Sequence, residues 1–330
     1  MTEAEKMCTA ISYKTKDHYF GRTLDYEGSY GEQIVIVPRN YRLPLRHQEA
    51  ISEHYAIIGT AHVADGYPLF YDALNEKGLA IAGLNFVGNA HYEKPSPGKH
   101  NIAQFELIPY LLSVCADLSE VRKKMAELNL TDTPFSADFP VGQLHWMVSD
   151  QRETMVIEAV QGGIKIYENP AGVLTNNPPF EQQLFSLNNY CGLSSRQPEN
   201  TFSAALPLTA YSRGMGGLGL PGDLSSQSRF VRAAFVRANS KAGDSEEESI
   251  GQLFHIFGSV EQVRGCCEVE NGGYEMTIYT ACYNTTKGIY YYTTYQNHQI
   301  SAVSLHHAEL DGGKLLCYPM EKQEKIAYQN

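Results

Sequence analysis

Short apolar runs, some alternating with period two and some continuous, recur along the chain between clusters of Gly, Pro, Asn and Asp, which is the pattern of β-strands. Cys8–Tyr13 and His18–Leu24 flank Lys14-Thr-Lys-Asp17 and read as a hairpin at the amino-terminal end. Further strands are expected over Gln33–Pro38, Leu79–Phe86, Leu144–Ser149, Met155–Val160, Ile164–Tyr167, Gly172–Thr175, Met276–Tyr283, Ile289–Tyr295 and Ile300–Leu305. The Tyr- and Thr-rich Ile289–Tyr295 has strong β propensity. Helical spacing appears over Phe105–Cys115, Leu118–Leu128, Ser226–Ala238 and Ser245–Phe257. Asp117 with Glu120 three residues later has capping-box spacing, and Pro109 should kink the first helix or mark its first turn. Strand groups and helix pairs alternate in blocks, so the fold class is a layered α+β protein. No linker-like stretch or fixed repeat divides the chain, so one large domain is expected.

Composition narrows the partners. With 43% hydrophobic and 19% charged residues the 330-residue chain can build a sizeable core. Its net charge of −11 repels nucleic-acid phosphates and anionic membranes. The basic cluster Arg122-Lys-Lys124 is interleaved with Glu120 and Glu127 and reads as a solvated helix face. No nucleic-acid or membrane partner is expected. Met1–Lys6 is polar and acidic, unlike a secretory signal. The seven cysteines form no CxxC pair, which favours reduced thiols and a cytoplasmic protein. His306-His307 point to opposite faces if on a strand, so no metal site is expected. The glycines of Arg213–Gly222 lack a following Gly-Lys-Ser/Thr and read as a loop of positive φ and close backbone approach.

Cys8 carries the sharpest chemical hypothesis. A thiol so near the amino terminus could become the N-terminal residue itself, and its own α-amine, titrating at about 7.7 to 8.0, would then serve as its base. Met7 precedes it, and a small residue after an initiator methionine permits trimming. Arg22 and Asp25 close the second hairpin strand, which returns them beside Cys8. Arginine would favour the thiolate, and the carboxylate could hold the amine.

Met7-Cys-Thr-Ala10, Phe20-Gly-Arg-Thr-Leu-Asp25, Val37-Pro-Arg-Asn-Tyr41, Asn75-Glu-Lys-Gly-Leu79, Val173-Leu-Thr-Asn-Asn-Pro178, Gly216–Asp223, Ser228-Arg-Phe230 and Ile300–Leu305 together resemble the choloylglycine hydrolase family, which comprises conjugated bile salt hydrolases and penicillin V acylases. The resemblance implies an N-terminal nucleophile hydrolase with a four-layer αββα sandwich over 8–330, and a leader over 1–7 that is removed from the active enzyme. It implies Cys8 as nucleophile, Arg22 and Asp25 beside it, Asn85 and Asn176 as oxyanion donors, and Arg229 as a second arginine of the site. Neutral amide donors suit charge that develops only in the transition state. Asparagine at position 85 resembles the bile salt hydrolases, whereas penicillin V acylases often carry tyrosine there. The expected activity is hydrolysis of glycine- or taurine-conjugated bile salts without metal or cofactor, by a homotetramer with Gly216–Asp223 near its subunit contacts. Leu24, Tyr26, Phe86 and Phe135 are candidates for the apolar substrate pocket. The competing readings are an acylase of penicillin V or another N-acyl amine, and a silent bile-salt-binding protein whose Cys8 stays capped.

Overall fold

The amino-terminal hairpin forms as its alternation predicts. In the computed structural model, which describes residues 7–330, β1 (Met7–Lys14) and β2 (His18–Tyr26) pair antiparallel with Lys14 opposite His18. Of the expected leader, Met1–Lys6 lies outside the described residues. The chain continues through β3 (Gln33–Val37), β4 (Ile57–Ala64), β5 (Tyr67–Asn75), β6 (Ala80–Asn85) and β7 (His100–Ala103) to α1 (Leu107–Val114) and α2 (Leu118–Glu127). Next come β8 (Leu128–Thr131), β9 (Leu144–Ser149), β10 (Thr154–Val160), β11 (Gly163–Glu168) and β12 (Val173–Leu174). Helices α3 (Phe180–Ser186), α4 (Ser226–Asn239) and α5 (Glu246–Gly258) precede β13 (Met276–Asn284), β14 (Ile289–Thr294), β15 (Asn297–Ser304) and β16 (Leu316–Pro319).

Two large sheets result. One has six strands in the order β12-β1-β2-β13-β14-β15, and the other eight in the order β11-β10-β9-β6-β5-β4-β3-β16. Period-two alternation explains how they stack. On β3, Ile34 and Ile36 face one core, while Val35 and Val37 face another. The first core joins the two sheets and continues to Phe230 of α4 and Leu253 and Phe257 of α5. The second packs the far face of the eight-stranded sheet on Leu111 of α1 and Val121 of α2. The layers run α4/α5, sheet, sheet, α1/α2, the expected αββα sandwich. Strands β1 and β2 are covered on both faces, so their polar residues other than the terminal Lys14 are buried too.

The local signals explain most boundaries. Pro109 is the third residue of α1, where its missing N–H breaks no helical bond, and the turn before it is a 3₁₀ turn over Gln104–Glu106. Asp117 caps α2, its Oδ1 accepting from the Glu120 backbone N–H at 3.0 Å, while Glu120 reaches back to Ala116 N instead of completing the box on Asp117. Ser245 and Glu248 do form a reciprocal box at α5. Strands β4, β5, β7, β8 and β16 and helix α3 have no counterpart in the sequence reading. Pro68 and the lone Asp72 interrupt the apolar pattern of β5, Gly59 dilutes β4, and β8 follows α2 without a break. The glycine-rich loop behaves as read: Gly214 and Gly219 have φ of 84° and 93°, and a Cβ at Gly216 would lie 2.0 Å from the Arg196 carbonyl oxygen. Among the described residues no helix is long and apolar enough to cross a membrane.

Candidate active site around Cys8

The hairpin register decides what surrounds the thiol. Cys8 pairs with Leu24, Ala10 with Arg22 and Met7 with Asp25. Directly paired residues share a face and successive residues alternate, so Arg22 lies on the Cys8 side, between the sheets. Asp25 lies on the opposite side, toward the helices. Arg22 spans the sheet interface, its Nη1 donating to the carbonyls of Tyr71 (3.2 Å) and Gly83 (2.9 Å), its Nε to Thr23 O (3.0 Å) and its Nη2 to Cys8 Sγ. Burial opposes the guanidinium charge, but Cys8, Tyr279 and Asp72 hold it firmly protonated.

Asn176, just beyond β12, reaches the nitrogen of Cys8. Its Oδ1 accepts from the Cys8 N–H at 2.8 Å and from Arg229 Nη2 at 2.8 Å, while its Nδ2 donates to Asn85 O at 3.0 Å. Here Cys8 N is a peptide nitrogen, and its single N–H goes to Asn176 rather than to Asp25. Asp25 accepts instead from Thr277 Oγ1 at 2.7 Å and Thr23 Oγ1 at 3.1 Å. Arg229, projecting from α4, also donates to Cys8 O (2.6 Å) and Thr9 Oγ1 (2.7 Å), tying the carbonyl of the nucleophile candidate as well as its N–H. Cys8, Arg22, Asp25, Asn85, Asn176 and Arg229, chosen from across the sequence, thus converge on one buried cluster.

The Asn176 loop is supported from below. Its backbone N–H donates to Ser226 Oγ at 2.8 Å, and its carbonyl accepts from Gln183 Nε2. The preceding carbonyl, Thr175 O, accepts from His145 Nε2 at 2.8 Å, and His145 Nδ1 meets Glu158 Oε1 at 3.1 Å. The Asn177–Pro178 peptide in this loop is cis. None of these supports carried a sequence signal beyond being polar residues in apolar runs.

The electrostatics favour the protonated thiol. Burial pushes the Cys8 thiol up and the Asp25 charge adds to this, while Arg22, the Asp25 backbone N–H and Arg229 pull it down. Asp25 itself is pushed up to about 6, mainly by burial, against Arg229 and the two threonine hydroxyls. Glu275, missed by the sequence reading, sits at the edge of the cluster with Oε1 accepting the Met7 N–H at 2.5 Å, and burial pushes it up to about 8.

The four apolar candidates separate. Leu24 lines the Cys8 face and Tyr26 stacks on Tyr30 at 5.1 Å. Phe86 is fully buried, stacked on His145 at 4.3 Å, and as core it presents no surface to a ligand. Phe135 stands in an aromatic group with Tyr67, Phe105 and Phe139, with the Arg46 guanidinium 5.0 Å from its ring centre. Among the described residues no three His, Cys, Asp or Glu side chains gather as a metal site.

Known proteins resemble this chain in sequence and fold. Residues 8–318 match the linear amide C–N hydrolases of the choloylglycine hydrolase family. The chain is 55% identical to the bile salt hydrolase/transferase of Lactiplantibacillus plantarum, over 96% of this chain and 98% of that protein. The crystal structure of a cysteine-to-alanine mutant of the conjugated bile acid hydrolase from Clostridium perfringens is 36% identical and superposes with a TM-score of 0.91, covering 98% of this chain and all of that one. Penicillin V acylase from Agrobacterium tumefaciens shares the fold, with a TM-score of 0.72 at 18% identity, over 94% of this chain and 90% of that one.

Proposed function

The chain belongs to the choloylglycine hydrolase family of linear amide C–N hydrolases, and from that membership we propose that it hydrolyses conjugated bile salts with Cys8, as N-terminal residue of a catalytic domain over 8–330, supplying both nucleophile and base. The observation that carries this reading is the double hold on Cys8: its thiol against Arg22 and its nitrogen on Asn176 Oδ1. The free α-amine takes the thiol proton, and the thiolate attacks the amide carbonyl carbon. The side-chain amide of Asn85 and Nδ2 of Asn176, which in this structure donates to the Asn85 backbone carbonyl at 3.0 Å, take the developing oxyanion. The resulting ammonium protonates the leaving nitrogen, the C–N bond breaks, and glycine or taurine departs, leaving a thioester. Water, giving its proton to the same amine, attacks the thioester and releases the free bile acid and the thiol. No metal or organic cofactor enters the balance.

Leu24 and Tyr26, on the strand paired with that of Cys8, serve as apolar contacts for the steroid, and Phe135 in its own aromatic group is a further one. The proposal includes a cytoplasmic homotetramer. All seven cysteines are unpaired, three of them exposed, which suits a reducing compartment. The exposed Leu218 within the Gly216–Asp223 segment, with the exposed Phe185 of α3 and Phe202 and Tyr211 between α3 and α4, suits a subunit contact.

Substrate class is tested by kcat/KM for glycocholate and for penicillin V on one preparation. A preference for glycocholate of at least about a hundredfold, or about 2.7 kcal/mol of differential transition-state binding, is expected. The reverse preference would make the enzyme a penicillin V acylase.

The acid side of the pH profile tests Asp25. The carboxylate offsets the positive charge that the amine and two arginines bring to the cluster, so kcat/KM, already falling as the amine takes up its proton below about 7.7 to 8.0, should fall more steeply as pH drops through about 6. Thr277→Val removes a 2.7 Å hydrogen bond to the ionised form. It should move that limb to higher pH by about half a unit or more. Some loss of Tm is also expected because Thr277 Oγ1 accepts the Gln262 N–H at 2.9 Å, but lost stability alone would leave the limb in place.

A further inference from the structure

Asp72 is a charge in the apolar middle of the sandwich. It stands on β5 and is fully buried, with Oδ1 accepting from Tyr279 OH at 2.6 Å and Oδ2 from Tyr283 OH. Thr60 Oγ1 lies 3.4 Å from Oδ2 and meets Tyr290 OH at 2.6 Å. Residues of β4 and β5 in one sheet and β13 and β14 in the other thus converge on one carboxylate. Such a group is costly to bury ionised without both hydrogen bonds and a counter-charge. The phenols supply the bonds.

Arg22 supplies the counter-charge. Its Nη1 donates to the carbonyl of Tyr71, the residue before Asp72, while its Nη2 donates to the thiol of Cys8. Without a direct hydrogen bond to the Asp72 carboxylate, the guanidinium acts on both Asp72 and Cys8 through its charge. Burial pushes the Asp72 carboxyl up, and Arg22 foremost, then Tyr279, Tyr283 and Thr60, bring it back toward the ionised form. The charged and titratable groups bearing on the pair are Arg22, Asp25, Arg229 and Cys8 on the site side, and Tyr279, Tyr283, Tyr290 and Cys282 on the far side.

We propose that Asp72 is a positioning residue for the nucleophile: its carboxylate, held by Tyr279 and Tyr283, balances Arg22 and so sets how strongly the guanidinium draws the Cys8 thiol toward thiolate. This rests on the reading of Cys8 as nucleophile. Neutralising Asp72 leaves the Arg22 field on the thiol unopposed, so the thiol ionises at lower pH.

The test is the pH dependence of Cys8 alkylation by iodoacetamide, followed on the Cys8 peptide by mass spectrometry because Cys8 is buried while Cys191, Cys266 and Cys317 are exposed and react as well. Asp72→Asn should lower the alkylation midpoint by about one pH unit, carry the matching limb of the kcat/KM profile with it, and be reversed by Asp72→Glu. Tyr283→Phe strips one hydrogen bond from the carboxylate, so Asp72 takes up a proton more readily. This variant should shift the midpoint in the same direction by less, and it serves if the Asn variant fails to fold. An unchanged midpoint in a folded variant overturns the proposal. Hydrolysis that survives Cys8→Ala would instead overturn the reading on which it rests.

Discussion

Replacing Cys8 by alanine lowers kcat/KM for glycocholate by at least about 10⁴-fold, because the step that forms the thioester has no other nucleophile in place. The fold should survive the change. Cys8 is held in β1 by backbone pairing with Leu24 and by bonds from its N–H and carbonyl to Asn176 and Arg229, none of which uses the sulfur. Arg22 loses its contact with the thiol but keeps the carbonyls of Thr23, Tyr71 and Gly83. The remaining cost is the small cavity left by one buried sulfur, about 1 kcal/mol or less after partial relaxation. Circular dichroism and Tm measured beside the kinetics separate lost chemistry from lost structure. A folded Cys8→Ala protein that still hydrolyses glycocholate would remove Cys8 from the mechanism.

What the sequence reveals of this site follows from how each residue is placed. Cys8, Arg22 and Asp25 share one hairpin, so alternation and a short turn suffice to bring them together. Period two also places Arg22 and Asp25 on opposite faces, once the register is known. Asn85, Asn176 and Arg229 lie on β6, a loop and α4, and no local rule joins them. They were legible through the collinear motifs of the family resemblance. The direction of the Asn176 carboxamide was not. It depends on Arg229 and the Cys8 N–H both seeking an acceptor at one point. Phe86 shows the opposite failure, since its place beside Asn85 suggests the pocket, while stacking on His145 puts it in the core. Asp72 broke the apolar pattern of β5 and hid the strand, and that break was the signal of a buried charge with a partner.

The largest remaining effect concerns the nitrogen of Cys8. With a residue ahead of it, this atom is a peptide nitrogen whose single N–H is given to Asn176 Oδ1 at 2.8 Å, and it cannot accept a proton. Burial pushes the thiol up, so at neutral pH it needs a base to ionise. Arg22 and Arg229 have no proton-accepting role there, and Asp25 is committed to Thr277 and Thr23 on the other face of the strand. A free α-amine at the same position is poised to act, since it titrates at about 7.7 to 8.0. As an ammonium it keeps the bond to Asn176 Oδ1 and has two further protons, one of which goes to the leaving nitrogen. Blocking the amine should therefore remove most of the activity while leaving the thiol in place.

The decisive measurement is kcat/KM for glycocholate on two preparations of the same chain, one with an intact mass that begins at Cys8 and one that retains Met7 ahead of it. Turnover by the first and a loss of about 10³-fold or more in the second are expected. Equal turnover by both, with Met7 still present in the mass after the assay, would contradict a mechanism in which Cys8 supplies its own base.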